Sequence, residues 1–431
     1  MKNSRRNFIK GLAYTGGVLG YAASLPNVFA QAEYGGKLLI TVQYRGAWDV
    51  SSFCDPKENV KGELEINHWA RNDEIRKAGN VRFAPYGSNQ VFFEKHYQKT
   101  LVINGVDMQT NAHETGEIHS WSGRTAVGFP SVTALLAAIN GSELPMSLLN
   151  FGGFGNTEGI IGSTHINGAG EIRDILYPNA FGGRQEDIFL SHSDWNRVRE
   201  AQIRNLTILS SKEGLAAQNR LNRQIYLDAF SKAESLKIFA DLIPKGDELQ
   251  KERTLTNGQH STLHQQVQMA LLAFKSGLSV SADLDDGGYD THAFHDRNHE
   301  PMLANGIDAI DYLWDFAEEL GLADRLVVVL GSDFSRTPYY NSGEGKDHWA
   351  IGSYVIMEKN VSYTNQVIGE TDEGQNAFPI NPTTLERDNF GGVIIRPAHV
   401  HKALRKYLGL ENSEFNKIFP FNNTEDFNFF G

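Results

Sequence analysis

Residues 326–330, Leu-Val-Val-Val-Leu, form an unbroken apolar and mostly β-branched run. A run without polar alternation leaves no face for solvent, so it reads as a strand buried on both sides, as in a parallel sheet covered by helices. Ser332-Asp333-Phe334-Ser335-Arg336-Thr337 follows it directly. In open α/β sheets ligands bind just beyond the carboxyl ends of such strands, so Asp333 sits where a site is expected.

The rest of the chain alternates in the same way. Apolar runs predict further strands over 37–44, 101–105, 146–151, 280–284 and 352–357. Helical periodicity predicts helices over 130–140 (Pro130 suits a first turn), 263–276, 299–320 and 397–408. Residues 155–185 are rich in glycine and lack a period, which reads as loop with room for short strands. A charged helical layer or cap is expected around 185–276, its apolar stripe running through Leu206, Leu209, Leu215, Leu221, Ile225 and Phe230. The tail, rich in Phe and Asn, is expected to pack across the surface. Strands alternating with helices imply an α/β fold, a three-layer α/β/α sandwich with a mostly parallel sheet. With 431 residues of which 40% are hydrophobic, the chain can fill one large core. No repeat, low-complexity linker or composition shift divides it, so residues 33–431 are expected to form a single domain.

Residues 1–32 read differently. Ser4-Arg5-Arg6-Asn7-Phe8-Ile9-Lys10 precedes a soft apolar stretch and Val28-Phe29-Ala30. Paired arginines, a weak hydrophobic region and a small-x-Ala end fit a twin-arginine signal peptide cut near Ala30 or Ala32. The expected location is therefore periplasmic, with the twin-arginine translocation machinery as a partner. The formal charge of −12 argues against a nucleic-acid surface, which needs clustered Lys and Arg. No apolar stretch after the N-terminus is long enough for a stable membrane span. Cys54 is the only cysteine, so an intrachain disulfide and thiolate metal ligation are both excluded.

Three polar clusters remain to carry chemistry: Gly287-Gly288-Tyr289-Asp290-Thr291-His292, the Asp333 segment, and Lys346-Asp347-His348. Singly, each has an ordinary explanation, Asp333 as a turn cap and His348 as a loop histidine. Together they supply carboxylates and imidazoles, the donors of zinc, manganese, iron or calcium. Asp290 and His292 are spaced to lie on one side of an extended segment. A metal there can polarise an ester oxygen or lower the pKa of a bound water. Arg336, Arg45 and Lys346 are placed to neutralise a phosphate or sulfate. His295 and His299 are at helical spacing, but no glutamate lies between them as in H-E-x-x-H, and they read as solvated helix residues.

Gly287 to His292 resembles the G-G-[WFY]-D-T-H signature of an exported bacterial family known as domain of unknown function 1501. Ser332 to Thr337 is similar to its S-E-F-G-R-T, and Gly345-Lys346-Asp347-His348 to its G-T-D-H. Arg45-Gly46-Ala47-Trp48-Asp49 resembles R-G-G-x-D after the first strand, and His113-Glu114 an H-[ED] element. Gly128-Phe129-Pro130-Ser131 resembles a G-R-P-S helix start, and residues 397–410 the closing helix. The likeness spans nearly all of the chain after the signal. It implies membership of the alkaline-phosphatase and sulfatase superfamily, with an alkaline-phosphatase-like sandwich holding one or two divalent ions. By that resemblance Asp49 and Asp333 belong to one site and Asp290, His292 and His348 to another, with His113 a further ligand. The implied activity is metal-dependent hydrolysis of phosphate or sulfate esters, Arg336 serving as a catalytic cation. Ser51 and Ser122 lead the candidates for a nucleophile, with Ser52, Thr115 and Ser120 behind them. Phe334 departs from the superfamily pattern, which has histidine there. That departure keeps open a second expectation, a non-catalytic periplasmic binding or assembly protein on the same scaffold.

Overall fold

The protein is described by a computed structural model covering residues 34–166, 177, 179–180, 188–210, 219, 239, 242–244 and 248–431. The expected signal segment and much of the expected helical layer lie outside these residues. In chain order the main sheet takes β1 (Leu38–Tyr44), β2 (Thr100–Asp107), β3 (Leu148–Asn150), β4 (Ser163–His165), β5 (Ser281–Asp286), β6 (Leu326–Gly331), β7 (Ile351–Glu358) and β8 (Gln366–Ile368). Across the sheet they run β8-β2-β7-β6-β1-β5-β3-β4. Only β7 is antiparallel to its neighbours. All other pairings are parallel.

Every residue of β1 and of β6 is buried. That burial explains their uniform apolar sequences, because helices cover both faces. The helices are α1 (Asn89–His96), α2 (His113–Ser122), α3 (Val132–Asn140), α4 (His192–Ser210), α5 (Leu263–Lys275), α6 (His295–Leu320), α7 (Pro397–Tyr407) and α8 (Glu414–Ile418). Helices α1, α5 and α6 pack together, and α2, α3 and α7 form a second group. Alternation along β5 separates the two faces. Asp283 reaches Thr133 of α3 at 2.7 Å, whereas Asp286 reaches Ser261, just ahead of α5, at 2.7 Å. The result is a mixed α/β sandwich with a large, mostly parallel sheet.

Local signals set several boundaries as expected. Ser131 caps α3, accepting a bond from the Ala134 N–H at 3.2 Å. The glycine-rich stretch, read as loop with short strands, holds the edge strand β4. One expectation needs adjustment. Helix α6 starts a turn before the expected His299, at His295, whose N–H donates to the Glu344 carbonyl at 2.7 Å. No helix among the described residues is long and apolar enough to cross a membrane.

Candidate metal centre

The loops after β1, β5 and β6 leave the sheet at the same end, as neighbouring parallel strands must. The β1 loop carries Asp49, the β5 loop Asp290 and His292, and the β6 loop Asp333 and Arg336. Two glycines let further segments close on them. A Cβ on Gly116 of α2 would lie 2.7 Å from the Asp333 carbonyl oxygen, so only glycine lets α2 bring its first residue, His113, against that loop. A Cβ on Gly345 would lie 1.9 Å from the His292 carbonyl oxygen, so the chain entering His348 passes directly over the β5 loop.

At this junction His113, Asp290 and His348 offer ligand atoms that all lie within 4.8 Å of one another. His348 Nε2 is 3.1 Å from His113 Nε2 and 3.3 Å from Asp290 Oδ1. His113 Nε2 is 3.5 Å from Asp290 Oδ2. His292 joins from one side, its Nε2 2.9 Å from His348 Nε2 and 3.1 Å from Asp290 Oδ1. The cluster is open to solvent, Asp290 and His292 being about half exposed.

The other ring nitrogens decide what the cluster can hold. His348 Nδ1 lies 2.8 Å from the Asn111 carbonyl and His292 Nδ1 2.8 Å from Asp347 Oδ1. His113 Nδ1 contacts Asp333 Oδ2. Each partner accepts only, so each Nδ1 carries a proton, and a neutral ring in that tautomer turns its Nε2 lone pair inward. Lone pairs facing one another and a carboxylate repel unless a cation lies among them. Imidazoles whose second nitrogen donates to a carboxylate or carbonyl are the usual state of histidine metal ligands. The donor set therefore fits a divalent ion.

Asp333 stands behind this set. Its Oδ1 accepts from the Ala47 N–H at 2.7 Å and the Ser332 hydroxyl at 2.7 Å, and its Oδ2 is taken by His113. Burial alone would raise its pKa, but the bonds from His113 and Ser332 hold it below the usual range. The same His113 bond raises the imidazole's pKa. Phe334 is fully buried and stacks on His113 at 4.8 Å, with its ring also 4.8 Å from His348. Phe334 thus forms an apolar wall against two imidazoles of the cluster.

Asp49 lies in a separate, fully buried network. It accepts from Ser51 Oγ at 2.6 Å, Ser52 Oγ at 3.0 Å and Lys346 Nζ at 2.7 Å, and His295 Nε2 is 3.1 Å away. Burial would raise its pKa, yet Lys346 and His295 hold it well below the usual range. Asp49 and Asp333 are thus held by different sets of partners. His295 and His299, expected to be solvated, are fully buried, and burial lowers the pKa of both. They are tolerated there because His295 bonds Thr291 Oγ1 at 2.7 Å and His299 accepts from the Asp49 N–H at 2.9 Å.

The candidate catalytic groups are distributed as follows. Arg336 is fully buried, its guanidinium donating to the carbonyls of Gly46, Ala47 and Lys346 and to Asp290. Ser51 lies in the Asp49 network. Ser122 ends α2, its hydroxyl donating to the Ile118 carbonyl at 2.6 Å. Arg45, 41% exposed, donates to Asp285 at 2.8 Å and lies 4.0 Å from Glu117. Sequence reasoning quoted Asp347 in a motif without giving it a role, and it missed the Asn111 carbonyl altogether. Only the fold shows which ring nitrogen each one meets.

Fold and site together define an α/β protein with a histidine–carboxylate cluster beyond the carboxyl ends of parallel strands. The chain belongs to the family described as Protein of unknown function (DUF1501), which matches residues 36–387. No curated protein matches the chain in sequence. Among solved structures it is similar to an alkaline phosphatase from the Antarctic bacterium TAB5, at 10% identity and a TM-score of 0.34 over 77% of this chain and 94% of that one. It is also similar to the sulfatase PsFucS1 from Pseudoalteromonas sp., at 10% identity and a TM-score of 0.36 over 89% and 70%. A third similar structure is the lipoteichoic acid synthase LtaP from Listeria monocytogenes, at 11% identity and a TM-score of 0.36 over 90% and 76%.

Proposed function

We propose that this protein is an exported, metal-dependent hydrolase of phosphate or sulfate esters. One divalent ion, zinc, manganese or calcium, is held by His113, Asp290, His292 and His348. The observation that carries this reading is the set of inward Nε2 lone pairs, each fixed by a proton acceptor on the far side of its ring. An imidazole-rich set favours zinc or manganese over calcium, which prefers an all-oxygen shell. The ion supplies Lewis acidity to an ester oxygen. The protein's own residues orient and enclose: Asp333, Asp347 and the Asn111 carbonyl fix the rings, Arg336 holds Asp290, and Phe334 keeps water from one side. With water as the attacking group, its oxygen would join phosphorus or sulfur as the bond to the leaving alcohol breaks, and a water proton would pass to that alcohol. The paired Arg5 and Arg6 support the export part of the reading.

A second reading, a non-catalytic binding or assembly protein, is favoured by one observation. Arg336 and Lys346 are fully buried, four of the five Arg336 N–H groups and all three of Lys346 are engaged, and Arg45 is tied to Asp285. Elemental analysis separates the readings, followed by a screen of chromogenic phosphate monoesters, diesters and sulfate esters. The expected result is bound metal and hydrolysis in the wild type, with both lost in a folded His348→Ala variant. Metal without hydrolysis of any ester class would favour the binding protein. A metal-free wild type that takes up no added ion would overturn both the centre and the enzyme.

A further inference from the structure

We infer that the buried pocket around Asp49 is a cation site permanently filled by the chain's own Lys346 ammonium, so that the protein takes one divalent ion and not two. This rests on the reading of His113, Asp290, His292 and His348 as a metal centre and fixes its stoichiometry. Lys346 Nζ donates to Asp49 Oδ2 at 2.7 Å, Asn67 Oδ1 at 2.9 Å and Ser51 Oγ at 3.1 Å. The ring of Tyr340 lies 5.0 Å from it. An ammonium has three N–H donors and no acceptor, and here three oxygens receive them.

The orientation of each oxygen is fixed independently of the lysine. Asn67 spends its amide N–H groups on the carbonyls of Lys57 at 2.8 Å and Ser51 at 3.3 Å, which turns Oδ1 toward the ammonium. Ser51 donates its hydroxyl proton to Asp49 Oδ1 at 2.6 Å, leaving its lone pairs for Nζ. The pocket is therefore a preformed set of hard oxygen acceptors with one carboxylate charge. Lys346, Asp49, Ser51 and Asn67 are all fully buried. One positive charge balances Asp49, whereas a divalent ion beside the lysine would leave two uncompensated charges in a closed interior.

The pocket also braces the metal centre. The Lys346 N–H donates to the Thr291 carbonyl at 3.1 Å, and the Lys346 carbonyl accepts from Arg336 at 3.1 Å. The main chain at Lys346 thus ties the segment carrying His348 to the one carrying Asp290 and His292.

The test is metal stoichiometry, measured by equilibrium dialysis against zinc or manganese with elemental analysis, on four full-length proteins. Saturation is expected at one ion in the wild type and none in His348→Ala. Two are expected in Lys346→Ala, where the vacated oxygens accept a second ion, and one in the double variant. Two ions in the wild type, or a folded Lys346→Ala that still saturates at one, overturns the inference. A wild type that binds none defeats the metal centre itself, a distinguishable failure. Should Lys346→Ala not fold, the wild-type count decides together with Lys346→Met, which fills the space without charge, keeps the main-chain bonds of position 346 and is expected to remain at one ion; two ions in Lys346→Met overturn the inference.

Discussion

At the scale of single residues, the centre depends on which nitrogen of each imidazole holds the proton, and Asp333 sets this for His113. In Asp333→Asn the side-chain oxygen can still accept from Ala47 and Ser332, but an amide NH2 now faces His113 Nδ1. That group donates, so Nδ1 becomes the acceptor and the proton moves to Nε2, where it points at Asp290 and His348. Metal affinity is expected to fall by roughly 10–100-fold, the usual loss when a ligand's supporting partner is changed. Competition with a chromophoric chelator measures it, and an unchanged affinity would remove His113 from the ligand set. The sequence made the ligands legible because Asp290, His292 and His348 lie in compact motifs. It did not show that Asp333 lies behind His113 while Asp290 faces into the cluster, since spacing says nothing about what the far side of a ring meets. His295 and His299 were misread for the same reason. A polar helix face reads as solvated, and the partner that makes their burial tolerable, Asp49, lies 246 residues from His295 and 250 from His299.

At the scale of elements, β5 is the most informative strand, since it carries a buried carboxyl to each face of the sheet. Burial pushes Asp283 up to about 7 against the hydroxyls of Thr41 and Thr133. Asp286 is likewise pushed up to about 7 by burial, against Ser261 and Tyr289. Asp283 Oδ2 has no hydrogen-bond partner, a position that suits a neutral acid better than a carboxylate. A folded pKa above the unfolded value of about 3.9 gives stability that is complete below pH ~4 and lost as pH rises through 7. Asp283→Asn keeps the oxygen that Thr41 and Thr133 bond and removes the titration. Its stability is expected to fall less than the wild type's between pH 5 and pH 8, by on the order of 1–4 kcal/mol. Urea midpoints at the two pH values provide the measurement, and parallel pH dependences would mean that Asp283 is not kept neutral by burial. Strand β5 itself was legible as an apolar run. The titration was not, because alternation assigns a carboxyl to a face without saying whether that face is closed.

At the scale of the whole molecule, the centre cannot exist in any fragment of the chain. His113 opens α2, Asp290 and His292 follow β5, and His348 comes from beyond β6, with 235 residues between His113 and His348. Their supports come from the Asn111 carbonyl, Asp333 and Asp347, so the ligands converge only once the central strands have paired and α2 has docked. A bound ion would then stabilise the folded state by mass action. On the proposed export reading, this order fits a twin-arginine signal, which serves proteins that fold before export. Replacing both Arg5 and Arg6 with lysine is therefore expected to leave a full-length, folded precursor in the cytoplasm with its single ion bound. His348→Ala is expected to be exported and processed normally, because it removes a side chain that is 25% exposed and leaves the core untouched. Cell fractionation with N-terminal sequencing and metal analysis reads all of these outcomes. Normal processing of the lysine variant would end the export reading. A His348→Ala protein retained in the cytoplasm would instead show that the ion is part of the fold, because its binding energy would then be folding energy.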